Sequence, residues 1–173
     1  MTAPSSRESS FFLREVNQLD VDFIQRLTNT PGWLQHIGDR GTITLEGALS
    51  YIERAYRETY ERIGYGLWAV VNRQSQIPMG VCGLVLRPDA PAPDLGFALL
   101  PEFEGQGWIR AAGRLVLTHS NEHLNLAMID AYTNEDNVRS RKTIEALGFT
   151  CLSCAEHSLF STMVCHYRLH FHP

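Results

Sequence analysis

The spacing of apolar residues changes character along this chain. FFLREV at 11–16 reads as a first strand. Between Asp20 and Thr28, Val21, Phe23, Ile24 and Leu27 fall at helical intervals, and PGW at 31–33 stops that pattern. A second helix starts at the N-cap Thr44, builds an apolar face from Ala48, Tyr51, Ile52, Ala55 and Tyr56, and ends near Gly64. The texture then turns β-branched. YGLWAVV (65–71), MGVCGLVL (79–86) and DLGFALL (94–100) read as three strands, the first two joined by a Pro-containing turn and the last two by the loop RPDAPAP. A glycine loop opens a helix over about 107–120, LAMIDAYT (126–133) is another strand, and Asp136 caps a helix running to Leu147 and stopping at Gly148. Two strands near 149–157 and 162–171 finish the chain. The order βααβββαβαββ predicts an α+β domain: one mixed, mostly antiparallel sheet flanked by about four helices, built as a hairpin meander followed by a βαβ unit.

At 173 residues the chain suits a single domain with a substantial core. No repeat or linker divides it, so residues 1–10 are expected as a disordered tip and 11–173 as the domain. A formal net charge of −4 argues against nucleic acid as a partner. No run of about 18 apolar residues suggests a membrane span. The polar start MTAPSSRESS lacks the apolar centre of a signal peptide, which points to a cytoplasmic protein.

Cys82, Cys151, Cys154 and Cys165 are then expected as free thiols, as in any reducing compartment. CLSC at 151–154, with His157, His166, His170 and His172 nearby, invites a metal reading. The segment reads as a strand, however, where residues three apart point to opposite faces, so Cys151 and Cys154 would not converge. No second Cys pair completes a tetrahedral set, and no metal is expected.

The stretch FEGQGWIRAAGR at 103–114 places two glycines between a strand and a helix. Such a turn presents free backbone N–H groups at the positive end of the helix dipole, a seat for phosphate. A structural turn accounts for the glycines equally well, and the spacing matches neither the P-loop nor the dinucleotide fingerprint.

The neighbouring residues narrow the choice. DLGFALLPEFEGQGW resembles the strand–loop–helix of the GCN5-related N-acetyltransferase (GNAT) superfamily, especially its ribosomal-protein-alanine acetyltransferase branch. NEDNVRSRKTIEALGF (134–149) is similar to the second signature of that family, with Asn137, Ser140, Leu147, Gly148 and Phe149 in its places. WLQHIGDRGTITLEGALSYIE (33–53) looks like the branch's substrate-side segment. The resemblance covers residues from about 11 to the end.

It implies acetyl-CoA as co-substrate and direct attack by a primary amine, either a protein N-terminus or a small molecule. It places the cofactor against Gly105, Gln106, Gly107, Trp108, Ile109, Arg110, Asn137 and Ser140. A main-chain donor for the carbonyl oxygen falls at Leu99 and Leu100. The tyrosine that many relatives carry seven residues after the asparagine is Ile144 here, so Ser140 is the catalytic proton donor to expect; capping of the helix start is the alternative use of both Asn137 and Ser140. Trp33, His36 and Asp94 fall where an acceptor would bind, although Trp33 also suits a core and Asp94 a solvated strand edge. The family's phosphate frame falls on Glu104, Gly107 and Ile109, a more acidic and bulkier set than usual, with Arg110 and Ala111 replacing the usual Thr and Glu. A second reading, a fold kept as a binding module without transfer, rests on Glu104, Ile109 and Ala111. A monomer or homodimer fits either reading.

Overall fold

The computed structural model describes residues 3–4, 9–88, 90–157 and 162–171. Most of the expected tip, and His172, lie outside the described residues. Seven strands form one sheet in the order β1-β2-β3-β4-β5-β7-β6. They are β1 Phe11–Arg14, β2 Leu67–Asn72, β3 Pro78–Val85, β4 Asp94–Leu99, β5 Met128–Asn134, β6 Thr150–His157 and β7 Thr162–His170. Every neighbouring pair is antiparallel except β4 and β5. That parallel pair is the βαβ unit, its crossover being α5, Trp108–Glu122.

Strand alternation divides the core between the two faces of the sheet. On one face α5 and α6 (Val138–Ala146) cover Trp68, Cys82, Leu95, Ile129 and Tyr167. On the other, α1 (Val21–Thr28), α2 (Pro31–His36) and α3 (Leu45–Ile52) cover Ala69, Val71 and Val81. Helix α3 continues through a wide π turn, Glu53–Arg57, into α4, Glu58–Ile63. The caps Thr44 and Gly64 stand where the sequence placed them: Thr44 accepts from the Gly47 N–H at 3.1 Å, and Gly64 turns left-handed at φ 78°.

Three local readings are corrected. PGW does not only end α1; it begins α2. Thr30 accepts from the Trp33 N–H at 3.3 Å and Pro31 takes the first helical position, where its missing N–H costs nothing. Helix α6 is capped by Asn137 rather than Asp136, through a 3.1 Å bond from the Ser140 N–H. The cysteines also differ. Cys82 is a free buried thiol, its pKa pushed up to about 12 by burial, and Cys151 is free and exposed, but Cys154 and Cys165 form a disulfide. These two are direct cross-strand partners on β6 and β7, a register that their separation in sequence does not reveal. Cys151 and Cys154 do converge, at 4.0 Å between sulfurs, because a bulge between Cys151 and Ser153 absorbs one residue and returns both to one face.

The β3–β4 ladder tolerates no side chain at Gly80. An added Cβ would lie 2.2 Å from the Ala98 carbonyl oxygen and 2.8 Å from Leu99 Cα. Gly80→Ala is expected to cost about 1–3 kcal/mol in urea unfolding; an unchanged midpoint would refute this packing.

Candidate active site

Strands β4 and β5 meet once and then part. Their register holds a single pair, Asp94 with Asp130, secured by the Asp130 N–H donating to Pro93 O at 3.0 Å. Beyond it the strands diverge, while β4 stays paired with β3 as far as Leu99. Along β4 the backbone groups alternate between neighbours. The Leu100 N–H donates to Met79 O at 2.9 Å, so by alternation the amides of Phe97 and Leu99 face the gap. The resulting cleft is lined by main-chain donors and acceptors that the sheet does not satisfy.

Because β4 and β5 are parallel, the helices that follow them begin at the same open end. At the start of α5, Gly107 is the N-cap, in a left-handed conformation at φ 83°, and no side chain caps the helix. The first N–H groups of α5 therefore point outward without an intrahelical partner. Nothing lies within 4 Å of where a Gly107 Cβ would be. Gln106 is turned back, donating to Glu102 O at 2.9 Å and accepting from Trp108 Nε1 at 3.2 Å. Ile109 is buried in the core under α5 and does not cover the helix end. Arg110 is exposed and makes no ion pair among the described residues.

The start of α6 stands opposite. Asn137 Oδ1 is engaged as the cap, whereas the half-buried Ser140 hydroxyl makes no hydrogen bond among the described residues. Arg139, in the first turn, pairs with Glu104 in the loop before α5. That contact joins the two helix starts and balances the carboxylate of the glycine loop. On the other face, His36 at the end of α2 has Nδ1 3.9 Å from Asp136 Oδ1, bringing α2 to the β5–α6 connection. Arg26 of α1 similarly reaches Glu102 at 2.6 Å.

A charged network sits where the strands separate. Asp94 is 3% exposed and takes a bidentate grip from Arg87, at 2.7 and 3.1 Å. Asp130 is fully buried and held by Arg168 at 2.6 and 2.9 Å, with His166 Nε2 3.1 Å from its Oδ2. Tyr132 stacks on His166 with ring centres 4.6 Å apart. The two carboxyls are driven in opposite directions. Burial raises the Asp94 pKa, against Arg87 and with help from Asp130. Burial also opposes ionisation of Asp130, but Arg168 and His166 outweigh it and hold its pKa below the usual carboxylate range.

This cleft lies in a region that matches a known family. The acetyltransferase (GNAT) domain family matches residues 10–150. The chain belongs to the GNAT acetyltransferase family. Solved structures with the same fold include an acetyltransferase from Agrobacterium tumefaciens str. C58, 22% identical, covering 99% of this chain and 96% of that one, with a TM-score of 0.81. A ribosomal-protein-S5-alanine acetyltransferase from Vibrio fischeri is 19% identical, with 96% of each chain covered and a TM-score of 0.76. The microcin C7 self-immunity acetyltransferase MccE, solved with acetyl-CoA and AMP, is 13% identical, covering 95% of this chain and 94% of that one, with a TM-score of 0.79. The protein is therefore an acyltransferase.

Within this GNAT fold the structure brings Leu99, Gly105, Gln106, Gly107, Trp108, Arg110, Asn137 and Ser140 to the open end of the cleft, with His36 approaching from the opposite face. It does not bring the Leu100 amide there, since β3 uses it. Trp33 is a core residue, 4% exposed, with its indole N–H on Gly38 O at 3.1 Å. Asp94 is not the solvated strand edge its position suggested but a buried, arginine-paired carboxylate. Sequence reasoning missed Arg139, Asp130 and Arg168, and weighed His166 only as a metal ligand. A lone aspartate inside the apolar strand LAMIDAYT was the available signal. Among the described residues no group of three or more His, Cys, Asp or Glu side chains is placed to hold a metal ion, and no helix is long and apolar enough to cross a membrane. A recess lined by Gly148, Thr150, Leu152, Arg168, Leu169 and His170 lies toward the opposite end of β7 from the cleft mouth.

Removing Arg168 leaves a buried carboxylate uncompensated. Arg168→Met should destabilise the fold by about 3 kcal/mol at neutral pH. Asp130 has its folded pKa depressed, so its contribution is present above the unfolded value of about 3.9 and disappears as pH falls through the folded one. The gap between wild type and variant in denaturant unfolding should thus narrow below about pH 4; a gap that widens on acidification would contradict the assignment.

Proposed function

We propose that the protein transfers an acetyl group from acetyl-CoA to a primary amine, a protein N-terminus or a small molecule, by direct attack within the β4–β5 cleft. The observation that carries this reading is the uncapped start of α5, open at Gly107 and flanked by the unpaired Arg110, beside a strand gap that exposes the Leu99 amide. These features suit a diphosphate and an extended polar arm: N–H groups and a helix dipole for the anion, main-chain partners for amide groups.

Bound acetyl-CoA supplies an activated acyl group. The amides from Trp108 to Arg110, with the Arg110 guanidinium, bind its diphosphate. Asn137 retains its Nδ2 hydrogens for the arm, because only Oδ1 serves as the helix cap. The Leu99 N–H donates to the oxygen on which negative charge develops. Ser140 Oγ, free of other partners among the described residues, passes a proton to the departing sulfur and takes up the one that the acylated nitrogen sheds. The acceptor amine must attack uncharged. An α-amino group, with a pKa of about 8, is partly neutral at physiological pH, whereas a lysine near 10.4 is almost entirely charged. His36 and the Tyr132–His166 stack are the polar groups on the acceptor face.

Glu104, Ile109 and Ala111 favour a binding module without transfer. The pairing of Glu104 with Arg139 weakens the first of these arguments, since the carboxylate does not stand unbalanced before the anion seat.

Ser140→Ala should lower turnover by roughly a hundredfold while coenzyme A affinity changes by no more than about twofold. Steady-state kinetics with a free-thiol readout, alongside calorimetric titration of coenzyme A, checks this. Equal losses in both would make Ser140 a binding or folding residue.

A further inference from the structure

Three sulfurs on the β6–β7 hairpin take no part in the chemistry above. Cys154 on the edge strand β6 is bonded to Cys165 on β7, and Cys165 is fully buried beneath α6. Cys151 carries an exposed free thiol with its sulfur 4.0 Å from that of Cys154. This approach is built into the backbone: without the bulge between Cys151 and Ser153, the two side chains would point to opposite faces. The thiol is further positioned by the Ser153 carbonyl, 3.8 Å from Cys151 Sγ. Beside it stands Arg141, whose Nε donates to Tyr167 Oη at 3.1 Å, Tyr167 being the cross-strand partner of Cys151. The Arg141 guanidinium lies close enough to interact electrostatically with Cys151.

We propose that Cys151, Cys154 and Cys165 form an internal thiol–disulfide relay, in which the disulfide passes between Cys154–Cys165 and Cys151–Cys154. Cys151 gives its proton to solvent and its thiolate bonds to Cys154 Sγ. The Cys154–Cys165 bond breaks, its electron pair leaves on Cys165 Sγ, and Cys165 takes up a proton. One sulfur–sulfur bond forms as one breaks, so the step needs neither oxidant nor reductant. Burial disfavours an anion at Cys165 but not a neutral thiol, as at Cys82. The exchange replaces a covalent tie between two strands with one inside the edge strand. It also frees a thiol at Cys165, which faces Thr133 on β5, the strand that leads to Asn137 and Ser140.

The test uses the whole protein, purified without reductant and equilibrated at pH 8. Exchange is then stopped with N-ethylmaleimide under mildly acidic, denaturing conditions. Cleavage by a glutamyl endopeptidase after Glu145 and Glu156 separates the segment holding Cys151 and Cys154 from the one holding Cys165. The starting isomer yields the two fragments linked, with maleimide on Cys151. The exchanged isomer yields them unlinked, the first lighter by two hydrogens and the second labelled at Cys165. The relay predicts both patterns in the wild type, the unlinked one at roughly a tenth of the total or more, and only the linked one in Cys151→Ser. Wild-type protein giving linked fragments alone, or all three cysteines labelled, would overturn the proposal.

Discussion

The separation of β4 from β5 is the constraint around which this molecule is organised. A sheet ordinarily satisfies its backbone groups strand by strand, and leaving them unpaired inside a protein is costly. Here pairing stops after Asp94 and Asp130, so the amides beyond them need other partners. The branch point is held by two buried carboxylates and their partners: Asp94 with Arg87, and Asp130 with Arg168 and His166. Buried carboxylates in such a place are poor contributors to stability, but once formed they are strongly coupled to their partners. They fix where the two strands stop behaving as a ladder.

From that branch point the rest of the cleft follows by connectivity. Parallel strands send their successor helices off from the same end, so the starts of α5 and α6 face one another across the opening. One start is left uncapped and the other is capped by a side chain that keeps its amide hydrogens. The Glu104–Arg139 pair spans the two. The N-terminal helices close the other face, reaching the loops through Arg26–Glu102 and His36–Asp136.

Much of this was legible in the chain. Periodicity and turn residues gave the strands, the long helices, the caps at Thr44 and Gly64 and the βαβ unit, because those depend on near neighbours. The glycine turn before α5 could be read for the same reason. The features that escaped depend on partners distant in sequence. Leu100 was expected to offer an amide that β3 in fact consumes. Asp94 looked solvated until the fold supplied Arg87 around it. The disulfide required the β6–β7 register, and the convergence of Cys151 on Cys154 required a bulge that no residue in CLSC announces. Helix α2 was the exception: Thr30 and Pro31 stated its start locally, and the proline was read as a stop.

The central claim is that main-chain groups at the cleft mouth receive the diphosphate and arm of coenzyme A. Amide chemical shifts report on those groups directly. In a titration of ¹⁵N-labelled protein with coenzyme A, the Leu99, Trp108, Ile109 and Arg110 resonances should move saturably and together. Saturation with those four amides unmoved, and shifts gathered on another part of the sheet, would contradict the account.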